Sequence, residues 1–439
     1  MIGFLGLLAS LILLIVLTMR GMNLLIAAPL SALVLAVISG LPLFPQLVGS
    51  DEDSFVSTYM AGFSGFVASW FLMFLLGAIF GKVMEDSKSA ASVSAWLTKK
   101  FGAKYALAAV IVACAVLTYG GVSLFIVGFT VFPIALSLFK LANYPRRFIP
   151  AALAFGSVTF TMTSAGSPEI QNWIPMEYLG TTPYAGWEVS LIVASVMAVG
   201  GYFLLHYLVK RAISRGEEFE SRPGDPKEYD GPLPNPALSL LPLLTVLILS
   251  FIFHDSLGTS ALIVALTGGV VLTWLLNHKY MSSFWRAASE GTTGALLAIA
   301  NTAAVVGFGA IARTTPAFQD AVDVMTSVPG DPLIGGAIAV IVIVALTGSA
   351  SGGLTIALPI LGPQYMDAGV NPEALHRVAT LSSGALDSLP HGGYTVTTIR
   401  VICGETHKTA YGPIFWVTVV VPTVGVILAV ALFSLGVGI

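Results

Sequence analysis

Charged residues are scarce in this sequence. Only 10% of the 439 residues are Asp, Glu, Lys or Arg, whereas 56% are hydrophobic; soluble proteins carry roughly 25% charged residues. This composition excludes a soluble globular fold and predicts an all-α polytopic membrane protein, whose helices satisfy their own backbone groups. The formal net charge is −3 and no basic run occurs, so no nucleic-acid partner is predicted.

Cysteine is almost absent as well. The two cysteines, Cys114 and Cys403, fall in or near apolar segments, so we expect free thiols and no disulfide framework. No GxxxxGK[ST] pattern occurs, so ATP is not predicted as a partner. No further ligands stand near Asp387 and His391 with the spacing of a metal site, so neither a metal nor another cofactor is predicted beyond a coupling ion.

The hydrophobic residues are gathered in long runs, and a transmembrane helix needs roughly 20 of them. Runs near that length fall at about 3–19, 24–43, 60–81, 147–175, 188–209, 236–253, 259–276, 292–312, 373–400 and 412–436. The first run has no basic region before it and no small-residue cleavage site. We therefore expect a retained span there and not a signal peptide.

Two apolar arms are too short to span a bilayer. Residues 105–117 and 333–346 run for 13 and 14 residues before stretches rich in glycine, serine and threonine. Such arms predict re-entrant hairpins at about 104–140 and 331–365, whose tips stop inside the membrane. For the first hairpin, two complete spans remain an alternative because its second arm has 18 residues.

The basic residues predict the orientation. If each hairpin returns to its own side, 18 of the 20 Lys and Arg residues fall in segments on one side of the membrane. Only Arg313 and Arg377 fall outside these segments. Lys and Arg accumulate in cytoplasmic loops. The pattern therefore predicts a multi-pass protein of the cytoplasmic membrane with both termini outside.

The order of elements repeats along the chain. Residues 1–209 and 236–439 each contain spans, an amphipathic piece, a hairpin, a broken segment and a closing span, and residues 210–235 form a polar cytoplasmic linker. Each half has five full crossings. Because this number is odd, the halves are predicted to be inverted repeats, a common plan of secondary transporters.

Two of the predicted spans are broken by polar residues and glycines. One break, at 156–169, interrupts the span at about 147–175; the other, at 382–395, interrupts the span at about 373–400. Helix N-termini at such breaks bind anions, and freed carbonyls bind cations. Neither the breaks nor the hairpin tips contain Arg or Lys, so we expect an anion site built without a buried arginine.

The second break holds the residues best suited to ion coupling. A carboxyl shielded from water takes up a proton more readily, so Asp387 is predicted to carry the coupled proton. His391, four residues on, would pair with it or contact the substrate, and Glu169 follows the first break. The alternative is that these side chains only satisfy loose backbone groups. His376 and His407 lie near predicted membrane edges, where water would solvate them.

Hydroxyls and glycines at the tips and breaks are predicted to bind the substrate. The alternative is helix packing, for which small residues are enriched in membranes. The predicted substrate-binding residues are Thr118, Tyr119, Gly120, Gly121, Ser123, Thr163, Ser164, Gly166, Ser167, Thr347, Ser349, Ser351, Gly352, Ser388, His391 and Gly392.

Three classes of function are compatible with these features. The first is a proton-coupled symporter for a small organic anion, with a sodium-coupled variant that holds the ion on freed carbonyls. The second is a channel or passive exporter with the same broken helices. The third, a membrane-embedded enzyme, is least favoured because only Asp387, His391 and Glu169 would form a convergent catalytic set. We therefore predict that the chain is not an enzyme.

Two stretches resemble a known family. Residues 77–87, and the run from 348–353 through Asp387 and Ser388, are similar to the gluconate permease family of proton-linked organic acid symporters, within the wider ion-transporter superfamily. The resemblance implies a homodimer with a scaffold formed by the spans near the start of each half. It also implies an elevator motion, in which the hairpins and broken helices cross the membrane as a unit.

The chain departs from this family at both breaks. Gluconate-type members carry a His/Pro/Gly-rich first break and His-Val-Asn-Asp-Ser-Gly in the second. Here residues 161–168 read TMTSAGSP, and Ala385 and Leu386 precede Asp387. The departures favour a less hydroxylated substrate than gluconate, such as 3-hydroxybutyrate or another short hydroxy acid.

Overall fold

Helices make up the regular structure of this chain. The computed structural model describes residues 2–20, 22–45, 53–101, 105–122, 124–222, 231–318, 320, 331–390 and 392–438. No strand occurs in these ranges, and six of the described helices are long and apolar enough to cross a membrane. The prediction of an all-α polytopic membrane protein is confirmed. Cys114 and Cys403 are buried free thiols, as expected.

The first half of the chain contains both complete and short helices. In order they are α1 (Ile2–Met19), α2 (Leu24–Ile38), α3 (Phe55–Asp86), α4 (Ser89–Phe101), α5 (Ala106–Tyr119), α6 (Leu124–Leu141), α7 (Ile149–Ala154), α8 (Ile174–Leu179) and α9 (Trp187–Ile213). A π-helical turn, Phe155–Thr159, continues α7, and a 3-10 turn, Ile170–Asn172, precedes α8.

The second half has a similar series. Its helices are α10 (Pro236–Leu257), α11 (Ser260–Asn277), α12 (Phe284–Arg313), α13 (Pro332–Thr347), α14 (Ala350–Asp367), α15 (Pro372–Ser383), α16 (Gly393–Val396), α17 (His407–Phe415) and α18 (Val421–Ser434). One π-helical turn, Thr397–Ile402, continues α16, and another, Trp416–Val420, joins α17 to α18.

Three helices of the second half start with the same local signal. Asn235, Asp331 and Asn371 each precede a proline, and each side chain accepts a hydrogen bond from the backbone N–H two residues on. The side chain satisfies a donor that has no partner inside the helix. The proline after it is already held near helical φ. These caps fix where α10, α13 and α15 begin.

The long helices α3 and α12 pack along each other. A Cβ on Gly291 would lie 2.8 Å from the Cα of Ile79, and one on Gly307 would lie 2.8 Å from the ring of Tyr59. Tyr59 also donates a hydrogen bond of 2.9 Å to the carbonyl of Ala304. Small residues allow this close approach, which drives helix association in lipid. The helices α2 and α11 flank the pair.

The interrupted helices form a second group. The pairs α5 with α6 and α13 with α14 each pack side by side across a short turn. The closing helices α9 and α18 also pack on each other, and a Cβ on Gly425 would lie 2.6 Å from the sulfur of Met197. The amphipathic helix α4 is tied to the end of α11, where Asn277 Nδ2 donates to Ser89 Oγ at 2.9 Å.

Candidate functional site

Two helix pairs meet at glycine-containing turns. The helix α5 ends at Tyr119, and the chain reverses through Gly121, which has φ +92°. The helix α13 ends before Gly348, which has φ +62°. Ser349 then starts α14 by accepting a hydrogen bond of 3.3 Å from the N–H of Gly352. Both turns need glycine because a Cβ is strained at positive φ.

The first broken helix unwinds through a π-helical turn. After Phe155–Thr159 the chain leaves the helix, and the hydroxyl of Thr161 donates back to the carbonyl of Ser157 at 2.7 Å. This turn lies against α5, where a Cβ on Gly156 would be 2.5 Å from the carbonyl oxygen of Ile111. Such π turns are rare in helices and are frequent at functional sites.

The second broken helix contains the predicted coupling acid. The helix α15 ends at Ser383, and the chain turns before it re-enters a helix at α16. A Cβ on Gly392 would overlap the carbonyl oxygen of Asp387, so the turn is tight enough to require glycine. The side chain of Asp387 is half-buried, and its Oδ1 accepts a hydrogen bond of 2.8 Å from Ser388 Oγ.

All four interruptions meet around one small apolar cluster. Val158 and Met162, from the first break, pack with Ala350 at the second hairpin tip. Leu124 of the first hairpin and Tyr394 of the second broken helix pack against these three residues. Stretches separated by more than two hundred residues in sequence are therefore neighbours in space.

Direct contacts join the same stretches. The hydroxyl of Tyr119, at the first tip, donates to the carbonyl of Ala165 in the first break at 2.6 Å. A Cβ on Gly384, in the second break, would lie 2.9 Å from Cγ2 of Thr163. The first break thus contacts the first hairpin tip on one side and the second break on the other.

The first hairpin tip also faces α10. Cβ atoms on Gly120 and Gly121 would lie 2.7 Å from Leu243 and 3.1 Å from Val246. Thr118 is fully buried, and its hydroxyl has no partner among the described residues. A buried hydroxyl without a protein partner is costly, so Thr118 is the residue of this tip best placed to take a ligand or water.

Three predicted site residues fall where the structure gives no side chain. Ser123 and His391 lie outside the described residues, as does the side chain of Thr347. The pairing of Asp387 with His391 therefore stays a prediction. Glu169 is half-buried directly after the first break, and its N–H donates to Ser167 Oγ at 3.4 Å.

Several predicted hydroxyls already have protein partners. Thr163 Oγ1 donates to the carbonyl of Thr159 at 3.4 Å, and the hydroxyl of Ser164 donates to the carbonyl four residues before it. At the second tip, the hydroxyls of Ser349 and Ser351 lie 3.4 Å apart. In the first break, therefore, the side chains satisfy the unwound backbone itself.

The carbonyl oxygens of the first break are engaged as well. The carbonyl of Ser167 accepts hydrogen bonds from Trp173 Nε1 at 3.1 Å and from Asn172 Nδ2 at 3.2 Å. Gly166 has φ +77° and packs so closely on Tyr184 that a Cβ would lie 2.6 Å from the ring. The unwound backbone is held largely by donors from within the protein.

Arg377 is the main residue of this region that the sequence analysis missed. It lies in α15, is 0% exposed, and its guanidinium donates to carbonyl and amide oxygens of the first half. The acceptors are Ala185 O at 2.9 Å, Thr163 O at 2.8 Å, Asn172 Oδ1 at 2.9 Å and Pro183 O at 3.3 Å. The site therefore contains a buried arginine, contrary to the expectation. The signal that could have found it is the cap at Asn371, which puts Arg377 in the second turn of a helix that enters the membrane.

The two histidines expected at the membrane edges differ. His376 is fully buried, so the expectation that water solvates it is wrong; its Nδ1 lies 2.6 Å from Thr181 Oγ1. His407 is half-buried, and its Nε2 lies 3.0 Å from the carbonyl of Pro390. Burial of His376 follows from the packing of α15 between α13, α14 and α18, which the local sequence does not reveal.

Ion pairs join the broken helices at what we call the basic end, the end that carries Arg146, Arg147 and Arg222. Arg146 Nε lies 3.1 Å from Glu405, whose side chain is 2% exposed, and Arg222 Nη2 lies 2.9 Å from the same carboxylate. Arg147 makes two hydrogen bonds to Glu217, at 2.6 and 2.9 Å. These bonds lower the pKa of Glu217.

Comparison with known proteins decides the family. Residues 2–253 match the family described as GntP family permease. The chain belongs to the GntP family of permeases. This GntP-family permease is 34% identical to the uncharacterized transporter YxjC of Bacillus subtilis (strain 168), over 459 aligned residues that cover 95% of each chain. It is 23% identical to an uncharacterized transporter of Haemophilus influenzae (strain ATCC 51907 / DSM 11121 / KW20 / Rd), over 79% of this chain and 80% of that protein.

The fold of the permease is similar to that of a solved transporter. The crystal structure of the Alcanivorax borkumensis YdaH transporter, which revealed an unusual topology, has a TM-score of 0.57 with this chain. Each chain is covered to 99%, at 16% identity, so the likeness concerns the fold alone. The family match confirms the resemblance read from the sequence. The GntP-family permease is therefore a multi-pass membrane transporter with a small-molecule substrate.

Proposed function

We propose that this permease is a proton-coupled symporter for a small organic hydroxycarboxylate in the cytoplasmic membrane. The observation that carries the proposal is the meeting of all four interruptions around Val158, Met162 and Ala350. Irregular backbone at membrane depth is tolerated where protein buries it or where it lines a cavity. Transporters place substrate and coupling-ion sites at such breaks. The proposal includes no cofactor apart from the coupling ion.

Fixed positive charge would attract a carboxylate to this region. Ala350 and Tyr394, which belong to the cluster, lie in the first turns of α14 and α16. Helix N-termini carry about half a positive charge and free N–H groups. Arg377 adds a full charge, and its guanidinium donates a hydrogen bond to the carbonyl of Thr163, the residue after Met162. In the described part of the chain, the hydrogen bonds of its guanidinium go to neutral oxygens and not to a carboxylate.

Asp387 is the proposed carrier of the proton. It lies in the second break beside Gly392, and the Ser388 hydroxyl is the donor to its carboxylate. Within the described ranges, no lysine or arginine forms a salt bridge with it. A carboxyl without a cationic partner exchanges its proton more readily than one held in an ion pair. Glu169 and His391 are the further candidates for proton transfer in this proposal.

Sodium coupling is the alternative, and contacts in the first break count against it. A sodium ion at a broken helix is held by carbonyl oxygens that the unwound backbone leaves free. The carbonyls of Thr163, Ala165 and Ser167 already accept hydrogen bonds from side chains. One of those donors is the Arg377 cation, which would repel sodium. The described contacts therefore favour the proton.

The substrate proposal follows from the lining of the same region. Val158 and Met162 present apolar surface, and the hydroxyls of Thr163 and Ser164 are already engaged. A sugar acid would bring several hydroxyls that need partners when desolvated. We therefore place 3-hydroxybutyrate or another short hydroxy acid before gluconate.

The architecture of the proposed mechanism is an elevator built from inverted repeats. We assign the repeats to residues 1–209 and 236–439, joined by the linker 210–235. The pairs α3 with α12 and α9 with α18 support this division, because each joins helices at corresponding places in the two halves. The hairpins and broken helices would move against the α3–α12 pair. A homodimer with both termini outside the cytoplasm belongs to the same proposal.

Uptake into vesicles tests the proposal. Purified protein is reconstituted into vesicles with an alkaline interior, and uptake of radiolabelled 3-hydroxybutyrate is followed without sodium. We expect saturable accumulation above the external concentration, and a protonophore should abolish it. Uptake that requires sodium at constant pH would overturn proton coupling. Flux that never exceeds equilibrium would instead indicate a passive channel. Competition with unlabelled gluconate ranks the two substrates.

A further inference from the structure

A cavity of about 190 Å³ opens at the basic end, beside the last turns of α9. Three arginines line it, Arg147, Arg211 and Arg215, together with apolar residues that include Leu208 and Trp416. The cavity is formed by the end of α9, the start of the first broken helix and the π-helical turn after α17. None of these lining residues belongs to the apolar cluster at which the four interruptions meet.

The charge of the cavity is positive. Arg147 is already paired with Glu217. Arg211 and Arg215 are both exposed, and in the described part of the chain neither guanidinium forms a salt bridge. Arg211 lies in the last turn of α9 and Arg215 in the turn that follows it, and both line the cavity. Two arginines without a salt-bridge partner therefore border one cavity, which suits a ligand with at least one negative charge.

An exposed apolar row leads along α9 to the same cavity. Val199, Phe203 and Tyr207 are 57%, 62% and 58% exposed, and each is followed four residues later by the next, ending at Arg211. Trp416, which is 45% exposed, borders the cavity from the other side. In a membrane transporter, such apolar side chains contact acyl chains, and Trp and Tyr lie at headgroup level. The cavity is therefore placed at the depth of lipid headgroups.

We propose that this cavity binds the phosphate of an anionic phospholipid whose acyl chains lie along the exposed row of α9. Basic pockets between transmembrane helices bind anionic headgroups, and the fork of an arginine matches the oxygens of a phosphate. A free phosphate ion would use the arginines alone and would leave Val199, Phe203 and Tyr207 without a role. The apolar row is the reason that a lipid is inferred and not a soluble anion.

A bound lipid would connect elements that belong to different parts of the transporter. Phe148 lines the cavity and lies at the start of the first broken helix, under the guanidinium of Arg147 at 4.4 Å from its ring. Gly412 and Pro413 line it from α17. The headgroup thus bridges α9, the first broken helix and α17 at the basic end. This site is independent of the identity of the transported substrate.

Fluorescence quenching at Trp416 tests the proposal. The protein is placed in mixed micelles, and brominated phosphatidylglycerol or brominated phosphatidylcholine is added over the same series of mole fractions. The difference between wild type and Trp416→Phe isolates the signal of Trp416. We expect half-maximal quenching at a lower fraction of phosphatidylglycerol. Arg211→Gln/Arg215→Gln should weaken the apparent affinity for that lipid roughly 30-fold, whereas Arg211→Lys/Arg215→Lys, which keeps the charges but not the forks, should weaken it less.

Matched controls decide the outcome. Lys99→Gln/Lys100→Gln removes two exposed charges at the end of α4 and should leave the preference intact. Equal quenching by the two lipids, or an unchanged preference in Arg211→Gln/Arg215→Gln, would overturn the proposal. Displacement of the brominated lipid by millimolar inorganic phosphate would show a site for the free anion and would overturn it too. Circular dichroism confirms that each variant is folded.

Discussion

Arg377 offers the sharpest test of how the two broken helices are held together. Its guanidinium donates to four oxygens that lie on three separate segments, the first break, the 3-10 turn before α8 and the loop before α9. The change Arg377→Lys keeps the positive charge but replaces a planar fork by a single ammonium. One nitrogen cannot reach three segments that the fork was shaped to span.

The size of the effect follows from the number of bonds lost. A hydrogen bond to a charged group contributes about 1.5–3 kcal/mol. If lysine keeps two of the four, Arg377→Lys costs about 3–6 kcal/mol, and the abandoned carbonyls are buried. At about 1 °C per kcal/mol for a chain of 439 residues, the melting temperature in detergent should fall by about 3–6 °C. Fluorescence-detected size-exclusion chromatography after a heat ramp measures it.

A matched arginine supplies the control. Arg286 lies at the surface, where its side chain is 73% exposed and pairs with Glu290. Exposed pairs of this kind contribute about 0–1 kcal/mol, so Arg286→Lys should melt close to wild type. If Arg377→Lys melts at the same temperature as Arg286→Lys, then capping of the unwound carbonyls does not stabilise the broken helices.

Three further outcomes follow from the same structure. Asp387→Asn should abolish uptake driven by a pH gradient while the protein stays folded. The control Asp367→Asn, on an exposed helix end, should transport normally. Accumulation at the wild-type level in Asp387→Asn would remove this acid from the mechanism. Gly392→Ala should lower the free energy of unfolding by about 1–3 kcal/mol, because the new Cβ meets the carbonyl of Asp387. Gly393→Ala, the control, brings its new Cβ within 4 Å of no described heavy atom. Equal melting temperatures of the two variants would contradict this reasoning. Arg147 lowers the pKa of Glu217 below its ordinary 4.5, so the stability from this pair is present at neutral pH and is lost as the pH falls below about 4.5. Wild type should therefore lose more stability on acidification than Glu217→Gln. Melting temperatures that fall in parallel with pH in the two proteins would refute the coupling.

Composition and local pattern were enough to predict the class of fold. Long apolar runs with few charges leave helices as the structure that satisfies the backbone in lipid, and the regular structure of the described residues is helical. Glycine pairs and Gly-Ser steps are local signals too, and α5 and α13 end at Tyr119 and Thr347, directly before such steps.

Long-range contacts set the part that the sequence did not reveal. Arg377 and the carbonyl of Thr163 are 214 residues apart, so no local window shows that this arginine is buried against an unwound helix. The hydroxyls of Thr163 and Ser164 bond back to carbonyls of their own turn. Whether a break uses its hydroxyls for itself depends on its backbone path, which residue types do not specify.

The first and second broken helices are fastened to each other at both ends. At the basic end, Arg146 bonds to Glu405 and to the carbonyl of Cys403. At the far end, Arg377 grips the carbonyl of Thr163. Any movement that preserves these hydrogen bonds moves both broken helices together as one rigid unit. Loss of either set of bonds would leave the two helices joined at one end only.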